Sequence, residues 1–122
     1  GALIEYAIGV SNTGISPVDD GTVSLADIVP SETKMCVTDI GGNGPVVFTD
    51  GNPSSNLTYT YTGLTNTADD LDFSSDGGAT WGYAPVADAD GCDTEITHFR
   101  VQPSGAFAAS GSFTLNARFI VE

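Results

Sequence analysis

The densest run of potential ligands is Asp88-Ala89-Asp90-Gly91-Cys92-Asp93-Thr94-Glu95. Carboxylates alternating along a turn supply hard oxygen donors, which suit a calcium ion. Asp88, Asp90 and Asp93 are the expected ligands. The run is shorter than an EF-hand loop and lacks that loop's final bidentate glutamate. A plain acidic surface loop is therefore the competing expectation. Asp69, Asp70 and Asp72 offer a weaker version of the same chemistry, and Asp19-Asp20 reads as a solvated turn. Calcium is the one cofactor these residues suggest.

Catalytic chemistry finds little footing. His98 is the sole histidine. It lies between Thr97 and Phe99 in a strand-like pattern, which turns it outward or to an edge. A triad needs a nucleophile, an imidazole and an orienting carboxylate, and no nucleophile-elbow sequence is present. Glycoside hydrolysis needs two carboxylates at a set separation, but 16 acids in 122 residues produce such pairs by chance. Two cysteines and one histidine make a poor zinc set. The expectation is a protein that is not an enzyme. Trp81 and Tyr83, two residues apart on one face, would fit a sugar-stacking platform. They would equally fit a core tryptophan packed between sheets. Asn56-Leu57-Thr58 matches an N-glycosylation acceptor, a pattern that often arises by chance.

Cys36 and Cys92 have neither zinc-knuckle nor CxxC spacing. A disulfide closing a long loop is the preferred reading, with two free buried thiols as the alternative. An acidic composition of extracellular type favours the bridge.

Short strands must position these residues. Gly (15) and Pro (6) punctuate the whole chain, Thr is abundant, and period-2 alternation recurs where helical periodicity does not. Residues 2 to 11 alternate first, with Ile4, Tyr6, Ile8 and Val10 on one face, before an Asn12-Thr13-Gly14 turn. Residues 22–28 follow, with Val23 and Leu25 inward, then a short segment from Met35 to Asp39. The Gly41-Gly42-Asn43-Gly44 loop leads to a brief strand at 46–49. The clearest alternation is at 57–62, where Leu57, Tyr59 and Tyr61 oppose Thr58, Thr60 and Thr62. Such a pattern predicts a half-buried antiparallel strand. Leu71 and Phe73 mark another, and Asp76-Gly77-Gly78 reads as a hairpin-like turn towards Trp81. Residues 96–101 and 112–121 complete the set. The last places Phe113, Leu115, Ala117, Phe119 and Val121 on one face. About eight to ten short antiparallel strands predict an all-β, immunoglobulin-like two-sheet sandwich spanning residues 1–122 as one domain.

Charge narrows the function. Lys and Arg total 3 against 16 Asp and Glu, a formal net charge of -13. Such a surface repels phosphate backbones and anionic lipid headgroups, so neither nucleic-acid binding nor membrane attachment is expected. No apolar run approaches the roughly 20 residues of a membrane span.

The assembled motifs resemble the DUF11-like domain of bacterial and archaeal cell-surface proteins. IEYAIGVSNTG is similar to the family's opening strand and Asn-Thr-Gly, here Tyr6, Val10, Asn12, Thr13 and Gly14. LADIVPSET resembles the next element, through Asp27, Ile28, Val29 and Pro30. GPVVFTDGNPSSNLTYTY and DLDFSSDGGATWGYAPVADADGCDTEITHFRVQPSG look like the domain's long form, which closes on an FTLNARFIV-type strand, here Phe113 to Val121. The resemblance spans essentially the whole chain and implies an immunoglobulin-like sandwich at the cell surface or outside the cell. The family has no general catalytic activity. Its members often stand in tandem, whereas no neighbouring repeat accompanies this chain, so an excised module and a complete subunit are both open.

Both end strands are also apolar on their second face, Leu3 beside Ile4 and Ile120 beside Phe119. Burial by a neighbour suits such strands. The expected function is a structural subunit of an extracellular filament or layer. Leu3, Ile4, Tyr6, Ile8, Val10 and Ile120 would make contact with other copies, and residues 1–10 would act as a donor strand. The alternative is a monomeric adhesion or carbohydrate-binding module facing a sugar or host surface. Like-charged subunits would associate better with added salt or calcium.

Overall fold

In a computed structural model, the described residues, 1–40 and 44–122, form two antiparallel sheets. The Gly41-Gly42-Asn43 part of the expected glycine loop lies outside the described residues. The strands are β1 (Leu3–Ser11), β2 (Leu25–Ile28), β3 (Thr33–Cys36), β4 (Val46–Asp50), β5 (Leu71–Ser74), β6 (Cys92–Asp93), β7 (His98–Val101) and β8 (Ser112–Val121). No helix occurs among the described residues. The larger sheet runs β1-β8-β3-β6, with β4 also paired to β8, and the smaller runs β2-β7-β5.

β8 is the spine of the larger sheet because its alternation is the cleanest in the chain. Phe113, Leu115, Ala117 and Phe119 point inward and are each 1% exposed. One edge of β8 carries β1 along its whole length, from Leu3↔Ile120 to Ser11↔Ser112. Two short strands divide the other edge, β4 at Phe113–Ala117 and β3 at Phe119–Val121. In the smaller sheet, Leu71, Phe73, Phe99 and Val101 supply the facing layer. Phe99 meets Phe119 across the sandwich, with ring centroids 6.3 Å apart. Burying this many large side chains in one shared core is what holds the layers together.

The segment at 57–62 departs from expectation. Burial alternates as the pattern predicts, with Leu57 buried, Tyr59 and Tyr61 half-buried, and Thr58, Thr60 and Thr62 exposed. Yet a strand needs a partner strand for its N–H and C=O groups, and only Thr58 finds one, in an isolated bridge to Ser104. Side-chain carboxylates take over. Thr60 N–H donates to Asp70 Oδ2 at 2.7 Å, and Thr62 N–H to Asp69 Oδ2 at 3.0 Å. The segment is an extended loop pinned by aspartates. The expected hairpin after Asp76 is likewise a turn, because Gly82 bridges Phe73 in the parallel sense.

Candidate functional site

The acidic loop is built around a lysine. Cys36 and Cys92 form a disulfide and pair across β3 and β6. Lys34, two residues before Cys36 on the same face of β3, therefore lies beside the loop that enters Cys92. Its ammonium sits 2.6 Å from Asp88 Oδ2 and 2.8 Å from Asp90 Oδ2. These two hydrogen bonds raise the Lys34 pKa, and the bond from Lys34 holds Asp88 below the ordinary carboxylate range. Asp88 Oδ1 meanwhile accepts the N–H of Asp90 and of Cys92. Gly91 closes the turn at φ 78°, where any side chain would strike Thr38.

Asp93 leaves this group. Its side chain turns inward, where Oδ2 accepts the Tyr83 hydroxyl at 2.6 Å and the Val86 N–H at 2.9 Å. Burial, followed by that bond, pushes the Tyr83 pKa up to about 12. Thus Asp88 and Asp90 come together around an ammonium, and Asp93 does not join them. Among the described residues no group of three or more His, Cys, Asp and Glu converges on a common point. Lys34 had one signal in the sequence: it is the chain's single lysine, in register with the bridge.

The second aspartate group is equally committed. Asp69 and Asp70 hold the 57–62 loop as described, and burial raises the Asp70 pKa. Asp72, whose side chain is 4% exposed, binds Arg100 Nη2 at 2.7 Å across β5 and β7. The Arg100 guanidinium in turn lies 4.6 Å from the centroid of the Trp81 ring, a cation–π contact. Trp81 is half-buried on the outer side of the smaller sheet, and only Tyr83 of the pair packs against the core. His98 is half-buried, with Nδ1 3.1 Å from Thr97 Oγ1. Asn56 is exposed in a left-handed turn, φ 60°. Asp19 and Asp20 lie in an exposed turn, where Asp20 accepts the Gly105 N–H.

Of the expected assembly residues, Leu3, Ile4, Tyr6, Ile8 and Val10 lie on β1, and Ile120 lies on β8 opposite Leu3. β1 pairs within its own chain, and the parity of its ladder decides what its far edge presents. Val121 N–H donates to Ala2 C=O and Asn12 N–H to Gly111 C=O. With the register Leu3↔Ile120 through Ser11↔Ser112, the even-numbered residues carry the bonds to β8. The N–H and C=O groups of Leu3, Glu5, Ala7, Gly9 and Ser11 point away from β8, along an open sheet edge. That edge is nine residues long and has no Pro or Lys within it. The even side chains hang at the rim of the core: Ile4, Ile8 and Val10 are half-buried, while Tyr6 is 40% exposed against Phe119. Leu3 is 60% exposed, and Ile120 is half-buried opposite it.

The edge is also electrically quiet. All three basic side chains make internal ion pairs, Lys34 and Arg100 as above and Arg118 with Glu5 at 3.5 Å. Glu5 is the only charged side chain in residues 1–18, and Arg118 neutralises it. A protein of net charge -13 thus carries one long apolar edge on which almost no charge is exposed.

No protein-family model, curated protein or solved structure matches the chain.

Proposed function

We propose that this protein is a structural subunit of an extracellular or cell-surface filament or layer, assembled through β-strand contacts between copies. Its two sheets would then be the immunoglobulin-like sandwich of the DUF11-like domains that the sequence resembles. The observation that carries this reading is the open edge of β1. Natural sandwiches blunt long edge strands with Lys, Pro, bulges or covering loops, because an open edge recruits other strands. β1 has none of the first two, and its outward backbone groups are free to pair. Strand addition draws its affinity from such main-chain groups and its register from side chains.

Ala7→Pro tests the reading. The Ala7 N–H faces the open edge, so proline there removes no bond to β8, and an edge position tolerates it. Expected are fibres or higher oligomers of the parent chain in negative-stain images and sedimentation, and their loss in a variant whose circular dichroism is unchanged. A parent that stays monomeric, or a folded variant that assembles as well as the parent, would overturn the proposal.

A further inference from the structure

We infer that β1 pairs antiparallel with β1 of a second copy, about a two-fold axis through Ala7. This inference rests on the strand-assembly reading and specifies its contact. Ala7 is the midpoint of Leu3–Ser11, so an axis there is the symmetric register that pairs the whole strand. Leu3 then faces Ser11 of the second copy, Glu5 faces Gly9, and Ala7 faces Ala7. All of these are residues whose backbone groups point outward, so each pair makes the two hydrogen bonds of a narrow antiparallel pair.

The side chains favour the same register. On the core side, Ile4 comes opposite Val10 and Tyr6 opposite Ile8, each pair in both directions. These are wide pairs, where Cα atoms approach to about 4.5 Å and side chains touch most closely. The four side chains left half-covered at the rim of each core thereby cover one another. On the outer side, the middle of the contact is Ala7 and Gly9, small enough for the sheet to continue without obstruction. Gly9 has open space where a side chain would stand.

Charge selects the register too. Moving the axis to Glu5 would set two carboxylates directly opposite each other, a destabilising arrangement. With the axis at Ala7 the two Glu5 residues lie four positions apart, about 14 Å. That exceeds the screening length of about 8 Å at physiological salt. Each keeps its own Arg118 and Asn116 partners on β8. The contact is isologous, so by itself it stops at a dimer, and a fibre or layer would grow from that dimer through another surface.

Cysteine cross-linking tests the register. Narrow-pair Cα atoms lie about 5.5 Å apart, within disulfide reach. The native Cys36 and Cys92 are bridged and buried, so they do not compete. Under mild oxidation at high protein concentration and raised salt, Ala7→Cys should shift from the 12.5 kDa monomer to a covalent dimer. Gly9→Cys alone should stay monomeric, because its two copies are about 14 Å apart, yet it should cross-link when mixed with Glu5→Cys. Oligomers that form without the Ala7→Cys dimer, or with Gly9→Cys dimers in its place, overturn this register and leave strand assembly standing. A parent chain monomeric at every concentration overturns both.

Discussion

Replacing both cysteines, Cys36→Ala with Cys92→Ala, opens a loop whose ends are separated by 56 positions in sequence. On the chain-entropy account, a closure of that length restricts the unfolded chain by about 4 kcal/mol. Both residues are also buried, Cys92 completely and Cys36 to within 5%, so the lost sulfur contacts add about 1 kcal/mol. The sum, about 5 kcal/mol, is a large share of the roughly 5–15 kcal/mol typical of a single domain. The folded structure should nonetheless survive, because Met35 and the β8 spine hold β3 in place independently of the bridge. Urea titration followed by Trp81 fluorescence measures the difference. The variant's midpoint should fall sharply and its slope should rise, since an unbridged unfolded chain exposes more surface. A loss below about 1 kcal/mol with an unchanged slope would refute the view that the bridge acts on the unfolded chain.

Further outcomes follow from the same contacts. Arg100→Met leaves the buried Asp72 carboxylate without its cation and should cost about 3 kcal/mol in urea titration, while adding Asp72→Leu should recover most of that loss. Asp50 and Asp76 are held down to about 2, Asp50 by hydrogen bonds from Ser54 and Ser55, Asp76 by bonds from Thr80 and Ser74. Below their unfolded value of 3.8 the unfolded chain binds more protons than the folded one, so their stabilisation is present above that pH and disappears as pH falls towards 2. Thermal melts from pH 5 to 2 should show this decline, and Asp76→Asn should flatten it. Self-association measured by sedimentation should strengthen as salt rises to about 0.5 M, where repulsion between copies is screened. Calcium at equal ionic strength should add nothing further, because Asp88 and Asp90 already enclose Lys34.

Those features set by local alternation were legible in the sequence. The inward row Phe113, Leu115, Ala117 and Phe119 is one example, and the span of β1 is another. The pairing of Cys36 with Cys92 was legible from composition. What escaped depends on contacts distant in sequence. Residues 57–62 alternate like a strand, but nothing local reveals that Asp69 and Asp70 will take the backbone bonds of Thr62 and Thr60. Nor does anything local show that the fold brings Lys34 into the acidic loop from 54 positions away. Trp81 and Tyr83 share a face in sequence, yet without a ladder of their own one covers Arg100 and the other reaches Asp93.

Residue-resolved hydrogen exchange along β1 tests the central claim most directly, since ladder parity separates the two edges of the strand. In dilute monomer, the amides of Ile4, Tyr6, Ile8 and Val10 should be protected by β8, and those of Glu5, Ala7 and Gly9 should exchange freely. In the assembled state the second set should become protected as well, most strongly at Ala7. Odd-numbered amides that exchange as fast in the assembly as in the monomer would contradict the claim that copies join through the open edge of β1.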